Sequence, residues 1–167
     1  MWSSRPDRRF ILAGLLALPA CGFTPVHGPA NRANGLFGNV EWQAPTNSVE
    51  FDLNEQLRHR LGRADSPKWT LTYSLETNQV RIGGTEANRG RVYGVLAYRL
   101  GPVDGDGAGH SGEVQAFTGY TIAETTPTDT APIVSNRVAR QDAERRLAVV
   151  LADKLLSDLM VRMGSAA

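Results

Sequence analysis

The stretch Trp69-Thr70-Leu71-Thr72-Tyr73-Ser74-Leu75-Glu76 alternates apolar and polar side chains without a break. Successive side chains of a strand point to opposite faces, so this pattern buries Trp69, Leu71, Tyr73 and Leu75 together and leaves the threonines, Ser74 and Glu76 outside. Its β-branched and aromatic residues suit a half-buried sheet surface. Such a strand needs partners, and they lie downstream. Residues 91–100 put Val92, Leu96, Tyr98 and Leu100 on one face, and residues 113–122 are again strand-like. Glycine-rich breaks at 83–90 and 101–112 separate the three runs, which predicts an antiparallel meander.

Upstream, residues 36–44 (LFGNVEWQA) carry a few apolar residues near period two and end at Pro45, which reads as a short first strand. Asn47, Ser48, Val49 and Glu50 then offer a capping-box pattern, a side-chain oxygen with Glu three places on. Leu53, Leu57 and Leu61 follow at i, i+4 and i+8, and Gly62 is placed to end the helix. The chain closes on a longer helix, 133–163, free of Pro and Gly, with Leu147, Leu151, Leu155 and Leu159 every four residues beside Val138, Val150 and Met163. On its polar side Asp142 with Arg146, Lys154 with Asp158, and Asp158 with Arg162 stand four apart, each pair adding a few tenths of a kcal/mol at most. A sheet of this size exposes one apolar face that two amphipathic helices would cover. The expected fold is α+β, a small, mostly antiparallel four-stranded sheet covered by two helices in the order β-α-β-β-β-α.

The chain starts differently. Residues 1–9 carry Arg5, Arg8 and Arg9 against Asp7, and residues 10–20 are an uncharged apolar run. A permanent membrane helix needs about 20 apolar residues, so this is the pattern of a secretory signal. The run stops at Cys21, the single cysteine of the chain, where an odd thiol in an exported protein points to a free thiol, an intermolecular bridge or a modification. Leu18-Pro19-Ala20-Cys21 resembles a bacterial lipobox, with Leu three places before the cysteine, a small residue directly before it and Gly22 after it. That resemblance implies a diacylglycerol on the thiol and an acyl chain on the freed amine of Cys21. Two or more chains anchor stably where one is marginal, each buried methylene adding about 0.8 kcal/mol. Gly22, rather than Asp, favours the outer membrane over retention at the inner one by the same resemblance. Arg8-Arg9 before Phe10 also has the look of a twin-arginine signal. The expected division is 1–20 signal peptide, 21–34 lipidated tether rich in Pro, Gly and Asn, and 35–167 a single α/β domain. Removing Arg5, Arg8, Arg9 and Asp7 leaves 15 basic and 16 acidic residues, a net charge of −1. Nothing in that balance asks for nucleic acid.

Motifs for chemistry fail on spacing. Gly109-His110-Ser111-Gly112 lacks the second glycine of a nucleophile elbow, because Glu113 stands in its place. Asp104-Gly105-Asp106-Gly107 would need oxygen ligands at Ala108 and Gln115 to make a calcium loop. His27, His59 and His110 share no ligand spacing, so no metal site is expected. Arg81, Arg89, Arg91 and Arg99 are different in kind, since they gather around one expected hairpin. Arg81 and Arg89 flank the Gly83-Gly84 loop, and Arg91 and Arg99 share a strand face. They read either as an anion site, because guanidinium forks match phosphate oxygens, or as a solvated sheet face.

The segment Cys21-Gly22-Phe23-Thr24-Pro25-Val26-His27-Gly28-Pro29, together with 136–155 (NRVARQDAERRLAVVLADKL), resembles LptE, the lipopolysaccharide-assembly lipoprotein family, in its alphaproteobacterial form. Val26-His27 stands where that family more often has an aromatic. The resemblance implies a non-enzymatic domain without cofactor, lodged inside the LptD β-barrel of the outer membrane, where it assists barrel assembly and lipopolysaccharide delivery to the outer leaflet. Its partners would be the LptD barrel, lipopolysaccharide and, through the lipid anchor, the membrane itself. Cys21 is the one functional residue the motif carries over, with Arg81, Arg89, Arg91 and Arg99 as candidate contacts for lipopolysaccharide phosphates. Three alternatives stay open: an auxiliary lipoprotein of an envelope ABC lipid transporter, which can share the anchor and the mixed α/β build; a structural envelope lipoprotein with no transport role; and an anchored periplasmic hydrolase, which would need Ser111→Ala to abolish an activity. Cys21→Ala is expected to abolish incorporation of labelled palmitate and to move the protein from the membrane to the soluble envelope fraction.

Overall fold

The computed structural model describes residues 35–83, 88–105, 107, 109–124 and 131–165. The signal, Cys21 and the tether lie outside the described residues. The elements are β1 (Val40–Trp42), α1 (Ser48–Leu61), β2 (Trp69–Ile82), β3 (Arg89–Pro102), β4 (His110–Thr121) and α2 (Ala131–Ser165). The fold is α+β in the order β-α-β-β-β-α. The sheet order is β1-β2-β3-β4, with β1 parallel to β2 and the other two pairs antiparallel.

The alternation at Trp69 continues well past Glu76. β2 and β3 pair from Trp69 with Pro102 to Ile82 with Arg89, so β2 runs on through residues 77–82, and the strands take only the margins of the expected breaks: Arg89 and Gly90 from the first, and Gly101, Pro102, His110, Ser111 and Gly112 from the second. The first strand, by contrast, is only three residues long, although 36–44 was expected to form it. Residues before it make a turn, with the Asn39 amide donating to Leu36 O at 3.1 Å and the Gly38 amide to Leu61 O at 2.6 Å. Leu36 is thereby buried without being part of the ladder.

The capping pattern forms as read. Asn47 Oδ1 accepts the Glu50 amide at 2.9 Å, and Glu50 Oε2 turns back to the Thr46 amide at 2.7 Å. The helix ends where the Gly62 amide donates to Arg58 O. Leu53, Leu57 and Leu61 are fully or almost fully buried.

Both helices lie on one face of the sheet. That face consists of Leu71 and Tyr73 from β2, Val92, Leu96, Tyr98 and Leu100 from β3, and Ala116 from β4. α2 supplies the leucines at 147, 151, 155 and 159 with Ala143, Ala148 and Ala152 between them. Met163 is buried with them, but Val138 and Val150 are exposed, since the sequence grouped residues that stand on different sides of the helix. Its pairs also differ from the full expectation. Asp142–Arg146 and Asp158–Arg162 close at 2.9 Å, whereas Lys154 reaches across to Gln115 O at 2.6 Å.

α2 approaches β3 at Gly94. A Cβ there would lie 2.9 Å from Leu151 Cδ1 and 3.1 Å from Leu147 Cδ2, so the helix rests where a side chain would stand. Leu151→Ala should lower unfolding free energy by about 2–5 kcal/mol, because it leaves a cavity in this contact. Val150→Ala, one residue away on the exposed side, should change it by less than about 0.5 kcal/mol; denaturant unfolding of the two variants measures the difference.

Candidate functional site

The four arginines singled out by the sequence do not form one cluster. Alternation along β3 puts Arg89, Arg91 and Arg99 on the face without helices, while Arg81 of β2 points to the helix side. Arg91 and Arg99 do share a face. Eight residues of strand separate them, roughly 27 Å, so they are not one site.

Arg91 has the more developed surroundings. Its guanidinium carbon lies 5.0 Å from the ring centroid of Phe117, a cation–π contact, and its Nη1 donates to Tyr93 Oη at 3.4 Å. Tyr93 and Phe117 are cross-strand partners with ring centroids 5.7 Å apart. Phe117 is nonetheless 56% exposed, and Val80, the β2 partner of Arg91, is 43% exposed. Arg89 is the next residue outward on the same face. A shallow groove runs past Arg89, Arg91 and Phe117 to Thr121. This surface presents two cations beside apolar area. Tyr93 was visible in the sequence as sharing the face of Arg91, but Phe117 joins them only through the β3–β4 register.

Arg81 belongs to a second site. It lines a groove of about 530 Å³ with Gln79, Tyr120, Ile122, Arg137 and Arg140, between the far end of the sheet and the first turns of α2. Arg140 stands 3.6 Å from Glu144, whose Oε1 also accepts from Gln79 Nε2 at 3.0 Å. Arg137 and Arg140, three apart on a helix, share a face, which the sequence allows one to see. That Arg81 meets them could not be read from it.

Arg99 sits at the opposite end of the sheet, paired with Thr72 and Ser111. His110 pairs with Leu100 on the helix side, so His110 and Ser111 point to opposite faces and form no nucleophile–base pair. Among the described residues no group of three or more His, Cys, Asp or Glu is placed to hold a metal ion. No described helix is long and apolar enough to cross a membrane.

Two tyrosines carry shifted acidities for structural reasons. Tyr73 is pushed up to about 12, chiefly by burial and also by the charge of Glu50; its hydroxyl donates to Asn54 Oδ1 at 2.7 Å. Tyr98 is likewise pushed up to about 12, first by burial and then by its hydrogen bond to Asp158. For Asp158, burial opposes the charged form, but the hydrogen bonds from Tyr98 and Arg162 and the Arg162 charge outweigh it, and the carboxyl is held below its ordinary range. Gly112 makes room for this clamp, because a Cβ there would lie 2.7 Å from both Asp158 Oδ2 and Tyr98 Oη.

No family model matches the chain, and no curated protein matches its sequence. Solved structures do match. A candidate lipoprotein of Caulobacter crescentus CB15 superposes with a TM-score of 0.63 at 25% identity, over 78% of this chain and 95% of that one. A minor lipoprotein of Acinetobacter baumannii gives 0.53 at 12% identity, over 74% and 90% of the two chains. The rare lipoprotein B of Shewanella oneidensis gives 0.54 at 7% identity, over 74% and 93%. The domain therefore has a fold shared with bacterial lipoproteins.

The clamp has a pH signature. Asp158 has a lowered folded pKa, so its contribution is present above the unfolded value of 3.8 and is lost as pH falls through the folded one. Tyr98 has a raised folded pKa, so its contribution is present below the unfolded value of 10.0 and is lost as pH rises toward about 12. Tyr98→Phe should cost about 1–2 kcal/mol at neutral pH and weaken both the acid and the alkaline dependence, as read by thermal unfolding across pH.

Proposed function

We propose that this chain is an outer-membrane lipoprotein of the LptE type, anchored through acyl chains on Cys21, that plugs and assists assembly of an LptD β-barrel and takes part in lipopolysaccharide delivery to the outer leaflet. The observation that carries the reading is the fold shared with bacterial lipoproteins, above all the match over 95% of the Caulobacter chain. The lipobox at Cys21 supports it independently, because an anchor of that kind presents a folded domain at a membrane surface.

The sheet face without helices suits such a role. Thr70, Thr72, Ser74, Glu76 and Asn78 from β2 and Ser111, Glu113 and Gln115 from β4 are all exposed on it. A barrel lumen is polar, so a polar sheet face can lie against it without desolvating a large apolar surface. The patch of Arg89 and Arg91 beside Phe117 interrupts that polarity, and its guanidinium groups next to apolar area suit an amphiphile bearing phosphates. The role is binding and shape rather than catalysis.

Affinity purification of the tagged, lipidated protein from outer membranes, followed by mass spectrometry, tests the reading. A large β-barrel of the LptD type is expected in near-equal amount. Inner-membrane transporter subunits in its place would assign the chain to the auxiliary lipoproteins of an ABC lipid transporter.

A further inference from the structure

The two edges of this sheet are treated differently. On β4 the odd-numbered residues turn their backbone groups away from β3, and α2 reaches over to meet them. Lys154 Nζ donates to Gln115 O at 2.6 Å, and Arg146 Nη2 donates to Gly119 O at 3.0 Å. Long cationic side chains over an edge are a known way of blocking strand addition.

Among the described residues the β2 edge is closed only at its start. β1 covers Trp69 to Leu71, and beyond it the Gln43 side chain stands in for one more rung, with Nε2 donating to Tyr73 O at 2.8 Å and Oε1 accepting the Tyr73 amide at 3.3 Å. The chain then turns away at Pro45 into α1. Since outward-facing residues alternate, Leu75, Thr77, Gln79 and Arg81 point their N–H and C=O groups the same way as Tyr73. Among the described residues nothing pairs with them. Every residue from Glu76 to Arg81 is exposed. The result is a row of donors and acceptors repeating about every 6.8 Å, in line with β1 and complementary to an extended backbone.

Charge narrows the occupant. A strand added along 75–81 would stand alternate side chains on the helix side, beside Gln79 and Arg81 at the groove that Arg137 and Arg140 also line. Arg81 and Arg137 have no carboxylate partner among the described residues. We propose that the free edge of β2 at Leu75, Thr77, Gln79 and Arg81 is a docking site for an extended polypeptide segment of a partner, carrying carboxylates on alternate residues that enter the Arg81–Arg137–Arg140 groove. Main-chain pairing supplies the affinity and the arginines supply the preference for acidic side chains.

Amide hydrogen exchange by NMR on the full chain in detergent tests this with defined peptides. The probe is an end-blocked octapeptide alternating threonine and glutamate; the controls are its lysine counterpart and the same acidic peptide N-methylated throughout. The acidic peptide should slow exchange at Leu75, Thr77, Gln79 and Arg81 by about tenfold or more, with the outward amides of β4 unchanged. Neither control should do so. Arg81→Glu should reverse the preference in favour of the lysine peptide. Thr77→Pro should block the slowing and keep the fold, since that N–H lies outside the sheet's own ladder; Arg81→Glu tests the site even if the proline variant does not fold. No slowing with the acidic peptide overturns the proposal. So does equal binding by the N-methylated peptide, which would make the groove a plain anion site without strand addition.

Discussion

The close approach of α2 to Gly94 sets the position of almost everything else. Glycine is a poor strand residue, lacking a side chain to pack and adding backbone entropy to the unfolded chain. Here its missing Cβ lets Leu147 and Leu151 rest directly on β3. With the helix seated there, Thr118 Oγ1 donates to Ala143 O at 2.6 Å and Tyr98 meets Asp158 above Gly112. The same position brings Arg146 and Lys154 over the β4 edge. Among the described residues the backbone edge of the far half of β2 stays unpaired, since the first turns of α2 meet it only through side chains such as Glu144, which accepts from Gln79.

α1 is held by a different kind of contact. Asn54, buried among leucines, donates to Gln43 O at 3.0 Å and accepts from the Tyr73 hydroxyl at 2.7 Å. Glu50, also buried, satisfies Thr46 and Asn47. Buried polar groups are costly unless fully paired, so this network admits few alternative arrangements of β1, α1 and β2. It explains why β1 is so short: Gln43, the residue that would extend it, spends its side chain on Tyr73 and its carbonyl on Asn54.

The consequence, among the described residues, is two layers with one sheet face bare. Apolar area is concentrated under the helices, and the bare side is polar except along β3 at Tyr93, Val95 and Ala97 and beside it at Val80 and Phe117, where Arg91 lies over an aromatic ring. A cation stacked on an exposed ring keeps much of its charge available while covering apolar surface. The surface there is thus amphiphilic by construction. In the proposed setting, a barrel lumen traversed by a phosphorylated lipid, both the polar face and its amphiphilic interruption have a use.

The sequence by itself determined the elements and the faces they bury. Period two at 69–76, the capping residues Asn47 and Glu50, and the leucines every four residues in the last helix are local signals, set by neighbours within one or two turns. They place Arg91 and Arg99 on one face, and they predict two helices over one sheet. Only the tertiary structure decided which residues meet across elements: Phe117 with Arg91, Arg81 with Arg137 and Arg140, Tyr98 with Asp158, Lys154 with a strand carbonyl instead of Asp158. It also decided the length of β1 and the openness of the β2 edge. The physical reason is that a side-chain period repeats every two residues, so many registers satisfy the same pattern. What selects one of them is steric room at Gly94 and Gly112 and the pairing of buried polar groups, and neither is visible until distant segments are brought together.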